Sequence, residues 1–232
     1  MNMSGFTDVF TNPTRFFRDR GEKEPSFRTP LLIMFLWVII AVITAMFLTA
    51  PLTEKIMSAY PEEIAAYASF TKYFSVFGSV LTPFIMWLIL GVVFFVISHF
   101  LKGKGTFKKV LEFTSYGFIP LIFSGIITFA LQWRVTPDLI DQIYVGRAAS
   151  IEEVAVVAQQ ITQQYQSLTL NNPYFLASHI INILFTLWSA NMWICGMESA
   201  RNLSRGRALI TVIIPVALWI IYLWYTVFGK FI

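Results

Sequence analysis

The chain has 232 residues, of which 56% are hydrophobic and 13% are charged. A soluble domain carries about 25% charged residues, so the composition argues against a soluble protein and indicates an integral membrane protein. The formal net charge of +4 is too small to indicate a nucleic-acid binder. One cysteine and two histidines exclude an intrachain disulfide framework and a Cys/His zinc site.

Residues 1–28 form a polar tail in which aromatic residues stand at helical spacing beside basic ones. Its candidate contact residues are Arg15, Phe16, Phe17, Arg18 and Arg20. An amphipathic segment of this kind suits the cytoplasmic headgroup layer, where each basic residue adds about 1 kcal/mol of binding to anionic lipid. The same pattern suits a tail packed against the inner mouth of a helix bundle, and the sequence leaves both interpretations open.

Five apolar windows follow the tail, and each is long enough to cross a bilayer as a helix. Backbone groups in hydrocarbon must be paired within one segment, so the windows predict an all-α polytopic membrane protein. The predicted spans are residues 30–50, 79–101, 112–133, 173–197 and 208–229, within one five-helix transmembrane domain at 29–232. Pro83, Pro120 and Pro215 predict kinks in the second, third and fifth spans.

Two further helices are predicted in the loops on the other side of the membrane from the tail. Pro61 followed by two glutamates opens a helix at about 61–77, because proline and acidic residues favour a first helical turn. Ser150 and Glu153 form a capping box for an amphipathic helix at about 151–168. This second helix could cap the bundle, pair with a second copy or contact a partner, and we expect capping.

Polar residues line one face of the fourth span at helical spacing. They are His179, Asn182, Thr186 and Ser189. The face is either a polar pathway or proton-sensitive site, or a surface for hydrogen bonds between helices. Small residues of the third span, among them Gly117 and Ser124, form a comparable face, and we expect the two to meet.

Charged residues are absent from the centres of all five spans, which weighs against an ion-coupled carrier. Glu112 and Glu198 fall at span ends near basic residues, where we expect solvated or snorkelling pairs. No phosphate-binding, hydrolase or metalloprotease motif occurs, so we predict no enzyme activity, no catalytic residues, no cofactor and no metal site. Cys195 is interpreted as a packing residue.

Lysine and arginine concentrate in the tail, in the loop after the second span and in the loop after the fourth. The candidate contact residues of these two loops are Lys104, Lys108, Lys109, Arg205 and Arg207. Positive residues in short loops remain in the cytoplasm. The distribution therefore predicts a cytoplasmic amino terminus and, with an odd number of spans, an external carboxyl terminus.

Three short segments carry a resemblance to a known family. They are Asn12-Pro13-Thr14-Arg15-Phe16-Phe17, then Gly105 to Val110 leading to Tyr116-Gly117-Phe118-Ile119-Pro120, and Leu203 to Leu209, with Gly206, leading to Pro215. In these segments the chain resembles the Yip family, five-span membrane proteins named for interaction with Ypt/Rab GTPases.

For eukaryotic members the resemblance implies a cytoplasmic amino-terminal region, homo- and hetero-oligomers, binding of prenylated Rab GTPases, and roles in vesicle traffic or membrane shaping. The tail at 1–28 is too short for the usual amino-terminal domain, which argues against GTPase binding here. In this respect the chain is similar to the compact prokaryotic members, and we expect it in a prokaryotic plasma membrane.

Two functions are consistent with these patterns. The first is a non-enzymatic scaffold in the lipid bilayer that self-associates and organises the membrane or membrane-bound protein partners through its tail and basic loops. The alternative is a small transporter or channel that uses the polar face of the fourth span. Nucleic acid is not an expected partner.

Overall fold

The computed structural model describes residues 8–146, 148 and 150–228. In this part of the chain every regular element is a helix. The helices are α1 Pro13–Gly21, α2 Arg28–Thr44, α3 Ala50–Met57, α4 Glu62–Phe100, α5 Phe107–Tyr116, α6 Ile119–Gln132, α7 Val135–Asp141, α8 Ile151–Leu170, α9 Pro173–Ala200 and α10 Arg205–Phe228. A short π-helix, Ala45–Thr49, joins α2 to α3.

Five stretches of the described chain are long and apolar enough to cross a membrane. They are Arg28–Met57, Val76–Phe100, Phe107–Gln132, Pro173–Ala200 and Arg205–Tyr222. Large apolar side chains on these helices are open to their surroundings, as at Leu32 and Phe35, which are 58% and 59% exposed. Contiguous exposure on this scale would be costly in water. The predicted all-α polytopic fold is confirmed.

The chain divides into two compact units. Unit 1 takes the described residues of Met1–Trp37, Pro83–Phe123 and Ile183–Ile232, and unit 2 those of Val38–Thr82 and Ser124–Asn182. In unit 1, Trp193 of α9 meets the rings of Phe94 and Phe118 at centroid distances of 5.6 and 5.4 Å. Edge-to-face rings at these distances pack favourably, and they tie α4, α9 and the loop before α6 together.

In unit 2, α8 packs against α3 and α7. Ile161 of α8 is fully buried beside Ala59 and Ile143. The helix begins at the predicted cap, where the Ser150 hydroxyl accepts a hydrogen bond from the Glu153 amide at 3.4 Å. Its apolar face is therefore covered by this chain itself, as the capping interpretation expects.

The structure differs from the sequence prediction at several helix boundaries. The helix expected at 61–77 and the second span are one continuous helix, α4, because Gly78 between them only weakens a helix without ending it. The third span is interrupted at Gly117 and Phe118, just before Pro120. The helices α4 and α10 continue through Pro83 and Pro215.

Candidate functional site

The candidate site is the end of unit 1 where the tail helix α1 meets two basic loops. We call this region, formed by residues 8–28, 102–112 and 198–207, the basic end. The helix α1 is capped by Asn12, whose side-chain oxygen accepts a hydrogen bond from the Arg15 amide at 3.2 Å. Pro13 occupies the first turn, where its missing amide proton costs nothing.

Phe17 anchors the tail in the helix bundle. Its side chain is fully buried, with ring centroids 5.1 Å from Phe113 and 5.8 Å from Tyr116. Its carbonyl oxygen accepts a hydrogen bond from the Ser199 hydroxyl at 2.8 Å. Phe16 is half-buried, 5.1 Å from the same tyrosine ring. Of the two interpretations of the tail, these contacts support packing against the bundle, with Phe17 as the buried anchor and Phe16 at the edge of the contact.

Glu112 is the second anchor of the tail. Its side chain is only 1% exposed and forms an ion pair with Arg20 at 2.5 Å. The Ser26 amide donates a hydrogen bond to its other oxygen at 3.3 Å. Nearby, the Lys109 ammonium donates to the carbonyl oxygens of Arg20 and Lys23. The interpretation of Glu112 as a solvated group is therefore wrong, because the tail covers it.

These contacts also change the roles of two predicted contact residues. The Arg20 side chain is only 16% exposed and its guanidinium also donates to the Glu24 carbonyl at 3.0 Å. The Lys109 ammonium is engaged by two carbonyls. Both side chains hold the tail in place, so a free contact with lipid or a partner is not their role.

Arg201, at the end of α9, joins the two basic loops. Its side chain is buried, with 2% exposure. The Nε atom donates to Ser98 Oγ at 2.9 Å, Nη2 to the Gly103 carbonyl at 2.7 Å, and Nη1 to the Gly105 carbonyl. The guanidinium lies 4.4 Å from the centroid of the Phe95 ring, a cation–π contact.

In the described part of the chain these partners of Arg201 are neutral. Burial lowers the pKa of Arg201 from its ordinary value, yet a guanidinium keeps its proton at physiological pH. The basic end therefore contains a buried positive charge. No sequence pattern separates Arg201 from Arg205 and Arg207, and sequence reasoning gave it no special role.

The backbones of the two loops contact each other at Arg201, and three residues near this contact have positive φ angles. The Lys104 amide donates to the Arg201 carbonyl at 2.7 Å. Lys102 and Asn202 have φ values of 63° and 49°, and Gly105 has 116°. A side chain at Gly105 would collide with the Ala200 carbonyl oxygen, so glycine is required there.

The remaining predicted basic residues face outward. They are Arg15, Arg18, Lys104, Lys108, Arg205 and Arg207. Arg15 and Arg18 each approach Asp19 at 3.8 Å, and Arg205 approaches Glu198 at 3.6 Å. These distances are too long for hydrogen bonds, and exposed pairs of this kind contribute little, so the cations stay available to a ligand.

A cavity of about 650 Å³ opens within the basic end, between the tail and the loop that precedes α5. Its lining includes four lysines and two glutamates: Lys23, Lys104, Lys108, Lys109, Glu22 and Glu24. The cavity has the size of a small-molecule site.

The polar faces of the third and fourth spans meet, as expected. In unit 2, the Asn182 side-chain oxygen accepts a hydrogen bond from Ser124 Oγ at 3.0 Å, and its amino group donates to the Ser178 carbonyl at 3.1 Å. In unit 1, Trp193 Nε1 donates to the Thr114 carbonyl at 2.8 Å. These bonds support helix packing as the role of the face.

The other residues of that face have different surroundings. Thr186 and Ser189 are buried, and the Ser189 hydroxyl has no hydrogen-bond partner in the described part of the chain. His179 is half-buried. Cys195 is buried, with its sulfur 3.5 Å from Thr14 Oγ1, which agrees with its interpretation as a packing residue.

The residues of the family motif lie around the same helices. Tyr116 and Pro120 are buried on either side of the α5–α6 interruption. A side chain at Gly117 would collide with the Trp193 indole, so the close packing requires glycine. Gly206 is exposed in the first turn of α10, with open space where a side chain would stand, and Pro215 is half-buried within α10.

Comparison with known proteins identifies the family. The Yip1 domain matches residues 7–227. An uncharacterized protein of Methanocaldococcus jannaschii is 32% identical over 133 residues, which cover 57% of this chain and 92% of the relative. No solved structure matches the chain. The match over nearly the whole sequence shows that this chain is an integral membrane protein of the Yip1 domain family.

Proposed function

We propose that this protein is a non-enzymatic membrane scaffold that recruits a membrane-bound protein partner with an acidic surface. The observation that carries the proposal is the fixed tail. Phe17 and the Arg20–Glu112 pair hold α1 on the bundle, while Arg15 and Arg18 on the same helix are exposed.

A docked helix offers its cations to a partner at low entropic cost. Ordering a mobile segment on binding consumes part of the interaction energy, and a surface that is already ordered avoids this loss. Complementary charges also speed the encounter and select against partners of the wrong sign. We further propose, from the charge distribution, that the basic end faces the cytoplasm. Self-association stays a prediction that rests on the family resemblance.

The double variant Arg15→Gln/Arg18→Gln tests the proposal. We expect crosslinked heteromeric products in native membranes to fall between about twofold and thirtyfold, because two exposed charge pairs contribute about 0.2–1 kcal/mol each. Arg134→Gln is the control, since Arg134 is equally an exposed arginine but lies outside the basic end. Unchanged products in the double variant, or the same loss in the control, would overturn the proposal.

The hydrogen bonds on both sides of the Asn182 amide favour helix packing over a solute pathway.

A further inference from the structure

The cavity in the basic end is lined by more positive than negative groups. Lys104 and Lys108 are exposed at its edge, and neither forms an ion pair in the described part of the chain. The two negative charges of Glu22 and Glu24 balance only part of the positive charge of the four lysines. A site with this balance favours an anion.

The buried Arg201 strengthens this preference from behind the cavity wall. Its guanidinium donates to the carbonyl of Gly105, which lines the cavity, and its neutral partners leave its charge uncompensated. A charge in a buried site is weakly screened by salt, so it adds to the potential inside the cavity.

The backbone adds donors suited to phosphate oxygens. The helix α5 has ten residues and begins beside the cavity, after the cap formed by Thr106. The Thr106 side chain accepts a hydrogen bond from the Lys109 amide. The amides of Phe107 and Lys108 are therefore the first-turn donors left for an anion at the positive end of the helix. Thr106 and Lys108 line the same space.

The position of the cavity indicates which phosphate it would receive. Its lining residues come from the tail, from the start of the span Phe107–Gln132 and from the end of the span Pro173–Ala200. A site at the ends of spans lies at the level of the lipid headgroups, where the phosphates of phospholipids are concentrated.

We infer that this cavity binds the phosphate of an anionic phospholipid headgroup, with Lys104, Lys108 and the first turn of α5 as its main contacts. The site is separate from the arginines Arg15 and Arg18 and does not depend on the protein partner proposed above. A bound headgroup would fix the lipid next to the tail and make the basic end sensitive to membrane composition.

Lipid retention by the full-length protein tests the inference. We would reconstitute the wild type in nanodiscs of phosphatidylcholine with a minor fraction of phosphatidylglycerol, release it gently, and count retained phosphatidylglycerol by native mass spectrometry. We expect Lys104→Gln/Lys108→Gln to retain about thirtyfold less, since two lysines that each contribute about 1 kcal/mol toward an anionic headgroup amount to about 2 kcal/mol. Thermal melting of both proteins would confirm that the variant is folded.

Arg205→Gln/Arg207→Gln is the matched control, because it removes two exposed charges from the basic end outside the cavity lining. Retention that survives in the control and is lost in the lysine variant supports the inference. Equal retention in both variants, or equal loss, overturns it, because binding would then follow total charge.

A second measurement distinguishes the source of the phosphate. The melting temperature of the detergent-purified wild type is measured with increasing inorganic phosphate. Stabilisation by inorganic phosphate without retention of phosphatidylglycerol would overturn the lipid assignment in favour of a soluble phosphate ligand. Retention of the lipid that depends on the two lysines supports the assignment, whatever inorganic phosphate does.

Discussion

At the scale of single residues, the Glu112 carboxylate is the group on which the position of the tail depends. It forms an ion pair with Arg20 at an N–O distance of 2.5 Å and accepts a hydrogen bond from the Ser26 amide at 3.3 Å, and its side chain is only 1% exposed. A buried carboxylate with such partners is costly to disturb, because removing one member of the pair leaves the other charge without compensation.

Glu112→Gln is predicted to destabilise the protein by about 3 kcal/mol, since Arg20 would lose its counter-charge. The melting temperature of Glu112→Gln in detergent would be lower than that of the wild type, and trypsin would cut its released tail faster. The double variant Glu112→Gln/Arg20→Gln should recover part of the loss, because no unpaired charge remains. Glu198→Gln is the control. Its partner Arg205 lies 3.6 Å away and has a side chain that is 59% exposed, so the free energy of unfolding should change by less than about 1 kcal/mol. A similar loss at both glutamates would contradict the prediction.

At the scale of elements, Arg201 connects the end of α9 with the loop between α4 and α5. Its three guanidinium hydrogen bonds reach Ser98, Gly103 and Gly105, all more than ninety residues away in sequence. The loop carries no helix or strand of its own between residues 101 and 106. Its shape is therefore set by these bonds and by the Lys104 amide on the Arg201 carbonyl.

Arg201→Lys is predicted to lower the free energy of unfolding by about 2 kcal/mol. The single ammonium of lysine cannot donate in all the directions that the three guanidinium nitrogens do, so at least one buried carbonyl loses its partner. Thermal melting measures the loss, and faster hydrogen exchange in residues 102–106 would locate it. Arg207→Lys, at an exposed arginine in the first turn of α10, should have the melting temperature of the wild type. An Arg201→Lys protein with unchanged melting and exchange would show that the loop is held by other contacts.

The elements also show how far the sequence could predict the structure. Spans are recognisable because lipid imposes a minimum apolar length on each helix, and α8 was recognisable from its cap at Ser150. The π-helix Ala45–Thr49 has no comparable signature. The roles of Glu112 and Arg201 depend on contacts 86 to 103 residues away in sequence, which a window of local hydropathy does not contain.

At the scale of the whole molecule, five spans and a biased distribution of positive residues make one prediction about topology. The basic end should lie in the cytoplasm, and α8 should lie on the opposite side of the membrane. The native Cys195 is buried, so it contributes little background to labelling of introduced cysteines. Glu22 at the basic end and Gln159 on α8 are exposed positions that can be replaced singly.

A membrane-impermeant maleimide applied to intact cells should label Gln159→Cys and leave Glu22→Cys unlabelled until the membrane is permeabilised. The reason is that an odd number of spans separates the two positions: α8 follows the third span, whereas Glu22 precedes the first. Labelling of the wild type before and after permeabilisation measures the background from Cys195, which is subtracted from the labelling of both variants. Labelling of both variants in intact cells would place the two positions on one side, which requires an even number of crossings between them. Labelling of Glu22→Cys alone in intact cells would still fit an odd number of spans between the two positions, but with the protein inverted in the membrane. The basic end would then meet external ligands instead of the cytoplasmic partner proposed here.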